Sequence, residues 1–206
     1  KKKIEFGKDE YDELFNYVKG KPIEIFASVW DKPSVDFMKM YEGPMKIGSA
    51  GITDTDLCTY ARKNTDLLII STGMSTESEI EKCISACTPD VIMHTNSTYP
   101  SPVSELNLNY INWLVDKWNC DIGYSGHEYG LVTTYAAVVM GCNWIERHLT
   151  LDRNMWGSDH SASVEPHGFI KLVKGIRDIE KSMGPSATGR VCLGSELSKR
   201  NSLRKK

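Results

Sequence analysis

The chain has 206 residues and no apolar run approaching the roughly 18–20 residues that a membrane-spanning helix needs. Residues 4–6 are too short to be the apolar core of a secretory leader. Charge of one sign is missing too: 25 lysines and arginines face 27 aspartates and glutamates, a net of −2. No long-range field is present to hold nucleic acid or an anionic membrane, so neither is an expected partner and any anionic ligand must be held locally. The basic runs at 1–3 and 199–206 read as solvated ends. The six cysteines form no CxxC pair and no dense cluster, which points to a reducing, cytoplasmic setting with thiols used as small buried hydrophobes. No glycine-rich phosphate turn of the Rossmann or P-loop kind follows any apolar run.

What is present is alternation. Short β-branched or apolar runs at 23–27, 45–47, 67–70, 91–94, 121–124 and 144–146 are separated by segments of helical period, the signature of βα units and a parallel sheet. The first helix places Tyr11, Leu14, Phe15 and Val18 on one face and stops at Gly20. Further helices are expected near 34–41, 54–63, 76–87, 105–118 and 130–140. Thr76 with Glu79 forms a capping box, Gly141 a C-terminal cap, and Ile111, Leu114, Val115 and Trp118 an apolar stripe. The last helix has Pro166 in its first turn, Phe169, Leu172, Val173 and Ile176 on one face, and Gly184 beyond its end. Six βα units fit an open doubly wound sheet or a (β/α)8 TIM-type barrel, and the lack of a phosphate turn favours the barrel, of which a first portion would then precede this chain.

In a parallel barrel the chemistry lies just after each apolar run. Those positions carry Ser28 and Asp31, Lys46 and Ser49, Ser71 and Thr72, His94 with Asn96, Ser97 and Tyr99, Ser125 with His127 and Glu128, and Glu146 with His148. His127 and His148, one βα unit apart, suit a divalent transition metal with open positions, or else are hydrogen-bonded histidines of the rim. Lys46 reads as a Schiff-base nucleophile, a phosphate partner or a paired charge, and spacing does not separate these. Ser28, Ser49, Ser71 and Ser125 together with Lys46 favour a site for phosphate or carboxylate, although a single serine there is usually a helix cap. The loop at 150–166 is long enough to be functional, with Asp159 and His160 as its candidates.

The stretches Ser28-Val-Trp-Asp31, Lys46-Ile-Gly-Ser49, Ser71-Thr-Gly-Met74, His94-Thr-Asn-Ser-Thr-Tyr-Pro100, Gly123-Tyr-Ser-Gly-His-Glu128, Glu146-Arg-His-Leu-Thr-Leu-Asp152 and Gly157-Ser-Asp-His-Ser-Ala-Ser-Val-Glu-Pro166 stand in a fixed order. In these motifs the chain resembles the sialic acid synthase family. The resemblance implies a (β/α)8 barrel that condenses phosphoenolpyruvate with N-acetylmannosamine or its 6-phosphate, giving a nine-carbon keto sugar acid and phosphate. It implies manganese, or magnesium or cobalt in its place, on His127 and His148. Lys46, Ser49, Ser71 and Ser28 match phosphate-holding positions, Ser125 with Asn96 and Ser97 match positions near the carboxylate, and Tyr99 is a further substrate-binding candidate. Lys46, Asp159 and Glu128 are the candidates for catalysis. By this resemblance, 1–185 is a partial barrel carrying strands three to eight, and 186–206 is a linker toward a C-terminal antifreeze-like domain of a full-length homodimer.

The chain departs from the family pattern at Gly51, where many members carry an acid, which leaves proton transfer to Glu128, Asp159 or water. Gly126 and the run from Gly157 to His160 agree with the branch that uses a phosphorylated sugar. Two other readings stand beside this one: a synthase for a different nonulosonic acid, of legionaminic or pseudaminic type, and a non-catalytic barrel remnant. A Schiff-base aldolase on Lys46 is more distant.

Overall fold

The computed structural model describes residues 5–184 and 189–204. The lysines at 1–3, the expected 185/186 boundary and the last two residues lie outside this range. The elements alternate as the sequence predicts: α1 (Lys8–Val18), β1 (Ala27–Ser28), α2 (Lys32–Lys39), β2 (Met45–Ile47), α3 (Thr55–Arg62), β3 (Leu68–Ser71), α4 (Glu77–Cys87), β4 (Val91–Thr95), α5 (Asn109–Lys117), β5 (Asp121–Gly126), α6 (Val132–Val139), β6 (Trp144–Arg147), α7 (Pro166–Met183) and α8 (Gly194–Leu203). The six strands form one parallel sheet in the order β1 to β6, curled as a partial TIM-type barrel.

Period-two alternation on these strands decides which side chain goes where. Met45, Ile47, Leu68, Ile70, Ile92, Ile122 and Tyr124 face the helices and join Leu57, Ile80, Ile84, Ile111 and Leu114 in the main core. The alternate positions face the barrel axis. At the bottom these are Ile69, Val91 and Met93, packed with Leu67 and Trp144. Higher up, the same parity brings Lys46, Ser71, Thr95, Ser125 and Glu146 to the rim, with Ser125 paired to Thr95 on one side and Glu146 on the other. Gly123 lies among the axial residues, where a Cβ would stand 2.3 Å from Met93 Sδ and 2.8 Å from Trp144 Cβ, so only glycine fits.

Start and stop chemistry follows the sequence in several places. Glu79 accepts the amide of Thr76 at 2.7 Å and its hydroxyl at 2.8 Å, and Gly141 takes φ +106° just past α6. Five details differ. The strand expected at 23–27 is reduced to Ala27–Ser28, because it pairs only with β2 and Ile23 is exposed. The helix expected at 105–118 begins at Asn109, since a short 3-10 turn at Val103–Glu105 is followed by Asn107 in the left-handed region (φ +44°). Of its apolar stripe only Ile111 and Leu114 are buried, and Val115 is exposed. Likewise only Leu172 is buried on α7. In the tail, residues 194–203 form α8 where a linker is expected. Among the described residues no helix is long and apolar enough to cross a membrane.

Candidate active site

A cavity of about 440 Å³ opens at the C-terminal ends of the strands. Ser28, Lys46, Ser49, Ser71, Ser97, Tyr99, Ser125, His127, His148 and Asp159 all line it, so most of the residues marked in the sequence meet in one place. Trp30, Met74, Thr95 and Glu146 line it as well.

Glu146, which the sequence reading placed at a strand end without giving it a role, belongs to this site. Its Oε1 accepts from Lys46 Nζ at 2.9 Å and from Ser125 Oγ at 2.8 Å. Burial pushes its carboxyl up, but the attraction of Lys46 and these hydrogen bonds outweigh burial and hold it below the usual carboxylate range. The signal was available in the spacing: His148 follows β6 directly and stands two residues after Glu146, so period two puts both on one face.

The hydroxyl groups line the same cavity as Lys46. Ser49 Oγ accepts the amide of Gly73 at 3.1 Å, and a Cβ on Gly73 would stand 2.1 Å from Ser97 Oγ and 2.8 Å from Ser49 Oγ. The glycine thus lets two serines close on a backbone N–H. Ser71 Oγ is buried with no hydrogen-bond partner among the described residues. A buried hydroxyl left unpaired is costly, and here it lines a cavity beside an ammonium group.

The two imidazoles lie against each other with ring centroids 5.1 Å apart, and Tyr99 packs on both, at 4.1 Å from His127 and 5.4 Å from His148. His127 Nδ1 donates to the Asn96 carbonyl at 2.6 Å, which places the proton there and leaves Nε2 with its lone pair, 3.4 Å from Ser125 Oγ. Burial, with His148 adding to it, lowers the His127 pKa and keeps the ring neutral. His148 Nδ1 is 3.6 Å from Asp159 Oδ2. Among the described residues no three His, Cys, Asp or Glu groups are already gathered as a closed metal cluster. The donor set nonetheless fits a divalent ion: two imidazoles, one fixed as the correct tautomer by a backbone carbonyl, with a carboxylate beside the other.

Two expectations are corrected. Glu128 is not at the mouth: it shares the parity of Ile122 and Tyr124, faces the helices, and is fully buried. Its carboxylate takes hydrogen bonds from Tyr124 at 2.9 Å, Thr133 at 2.6 Å and Arg147 at 3.1 Å, a structural network that leaves nothing for substrate. Asn96 contributes its backbone, not its side chain. The side-chain amide donates to the Glu105 carbonyl at 3.2 Å, its Oδ1 accepts from the Thr98 amide at 2.9 Å, and it does not line this cavity.

A polar, cation-bearing cavity at the C-terminal mouth of a parallel barrel defines an enzyme-type site for an anionic small molecule. The NeuB family profile matches residues 1–188, and the chain belongs to that family. It is 34% identical over 192 residues to the N-acetylneuraminate-9-phosphate synthase of Drosophila melanogaster, covering 90% of this chain and 52% of that one. It is also 34% identical over 190 residues to the N,N'-diacetyllegionaminic acid synthase of Campylobacter jejuni, covering 88% and 57%. The crystal structure of the N-acetylneuraminic acid synthetase of Leptospira borgpetersenii superposes with a TM-score of 0.87 at 34% identity, covering 98% of this chain and 73% of that one. The chain therefore spans about half the length of the curated relatives it matches.

Proposed function

We propose that this chain is the barrel portion of a synthase that condenses phosphoenolpyruvate with N-acetylmannosamine or its 6-phosphate. The observation that carries the reading is the convergence of Lys46, Ser49, an unpartnered Ser71 and Ser125 with two adjacent imidazoles in one cavity. Lys46 and the serines hold the phosphate, with Gly73 keeping Ser49 and Ser97 close to a backbone donor. Ser125 and Ser97 are placed for the carboxylate. Lys46 stands against Glu146 instead of alone in an apolar pocket, which fits electrostatic holding of an anion and not Schiff-base chemistry.

His127, His148 and Asp159 would hold a manganese or similar divalent ion, which polarises the sugar aldehyde when bound. C3 of phosphoenolpyruvate bonds to the aldehyde carbon as the aldehyde oxygen takes up a proton, water adds at C2 and gives up a proton, and phosphate departs as the C2–O bond breaks, leaving the C2 ketone. The carboxylates within reach of the proton from that water are Asp159 and Glu146, since Glu128 is committed elsewhere and Gly51 supplies none. A homodimer of the full-length protein and a cytoplasmic setting belong to the same reading, supported for the latter by six unpaired cysteines.

Similarity to a legionaminic acid synthase supports a second reading in which the same phosphoenolpyruvate site meets a different amino sugar. The test is phosphate release from phosphoenolpyruvate by the complete gene product with manganese. N-acetylmannosamine, its 6-phosphate, a diacetylated legionaminic precursor and no sugar are compared. Release that needs both the metal and a mannosamine upholds the first reading; release with the diacetylated sugar alone replaces it with the second. No release with any sugar defeats both.

A further inference from the structure

The pairing of β5 with β6 ends at Gly126 and Arg147, so His127 and His148 each stand one residue past the last paired position. The two rings are held differently. The His127 ring is bonded to the Asn96 carbonyl, whereas the His148 ring makes no hydrogen bond among the described residues and has Asp159 Oδ2 at 3.6 Å from its Nδ1. The place of the His148 ring therefore depends on Tyr99, which packs on it, and on where β6 sets its backbone.

Arg147, the residue before His148, reaches from β6 to the chain beyond His127. Its Nη2 donates to the Glu128 carbonyl at 2.6 Å, and its Nη1 donates to Glu128 Oε1 at 3.1 Å, to the Gly130 carbonyl at 2.9 Å and to Thr134 Oγ1 at 2.9 Å. Two of these acceptors are main-chain oxygens just past His127, so the guanidinium continues the link between the two strands after their pairing stops. These are charge-assisted bonds from a rigid planar group, buried from water on both sides. The Glu128 carboxylate is fixed in turn by Tyr124 at 2.9 Å and Thr133 at 2.6 Å.

Gly126 is an independent sign of the same arrangement. A Cβ there would stand 2.9 Å from Glu128 Oε2 and 3.0 Å from Oε1, so the carboxylate folds back over the residue that precedes His127. The φ of Gly126 lies outside the left-handed region; glycine is needed for space and not for backbone conformation.

We propose that Arg147 is a positioning residue: by bonding to the chain around Glu128, it sets the separation and relative aim of the His127 and His148 imidazoles for a divalent cation. The inference rests on the reading of these two histidines as ligands of such an ion. Each member of the buried pair is the chain neighbour of one histidine, so the pair acts on the site through the backbone and touches no substrate.

The test compares the complete gene product with Arg147→Lys and with the double variant Glu128→Leu with Arg147→Met. The double variant strands no buried charge and should stay folded by circular dichroism, yet it lacks the bonds to the Glu128 and Gly130 carbonyls. Manganese affinity by calorimetry should fall about tenfold to a hundredfold in both variants, the loss typical when a group that orients a metal ligand is removed. Affinity of the metal-free protein for phosphoenolpyruvate should be unchanged. With 13C-labelled histidine and no metal, the nuclear Overhauser contact between the two rings, whose centroids lie 5.1 Å apart, should weaken in both variants. Parent-like manganese affinity or an unchanged ring contact in the folded double variant overturns the inference, and so does an equal loss of phosphoenolpyruvate affinity, which general damage would produce. If the parent shows the ring contact but binds no manganese, the metal reading fails, and the ring contact in the variants alone decides whether Arg147 places the two rings.

Discussion

Lys46 and Glu146 are one hundred residues apart in the chain and meet at 2.9 Å across the barrel mouth. Neither adjoins the other in the sheet, since β2 and β6 are separated by three strands; curvature alone brings them together. The pair ties Lys46 to the strand that leads into His148.

Removing Glu146 should release Lys46 and Ser125 together. Glu146→Gln is expected to lower the rate of phosphate release by about 10²-fold, the order seen when a fixed electrostatic partner in a site is removed. Because its folded pKa lies below the unfolded value, Glu146 stabilises the fold above the ordinary carboxylate range, and this contribution disappears as pH falls through the depressed value. Melting curves of parent and variant should differ most near pH 7 and converge in acid; a difference that persists in acid contradicts the pairing.

His127→Ala should abolish high-affinity manganese binding by calorimetry, while the fold is retained by circular dichroism. Burial keeps the His127 imidazole neutral below the usual histidine range, so metal affinity should hold to a lower pH than an exposed histidine pair allows. In the metal-free protein the sign is destabilising in acid, because the unfolded imidazole takes a proton more readily than the folded one. His94, also lowered by burial while bonded at Nε2 to the Leu106 carbonyl, adds to the same slope. A His127→Gln variant should therefore flatten the acid limb in part.

Gly73→Ala tests the serine cradle. A methyl group there meets Ser97 Oγ at 2.1 Å and Ser49 Oγ at 2.8 Å, so both hydroxyls must move. The expected outcome is a rise of tenfold or more in KM for phosphoenolpyruvate with a smaller change in melting temperature. An unchanged KM would show that these serines do not hold the substrate.

Among the described residues Glu128 and Arg147 form the most buried ion pair, with side chains 0% and 1% exposed. Glu128→Ala leaves Arg147 uncompensated and should destabilise by about 3–5 kcal/mol in chemical denaturation. The double variant Glu128→Leu with Arg147→Met should cost less than either single loss, since no buried charge is stranded. If Glu128→Gln instead kept full stability and lost only turnover, the structural assignment of Glu128 would be wrong.

The order of elements and the chemistry at the strand ends are local properties, and the sequence alone determined them. Alternating apolar runs and helical periods define βα units, and the polar residues after each run define the mouth. His127, His148, Lys46 and the serines were legible because each stands within or just beyond an apolar strand run. Curvature decided what spacing left open, bringing Lys46 against Glu146 as a paired charge. Side-chain parity, fixed once strand bounds and register exist, turned Glu128 outward to Arg147 while Ser125 and His127 turned inward. A one-residue step along a strand reverses the face, so residues adjacent in a motif can serve different purposes, and only the folded sheet says which.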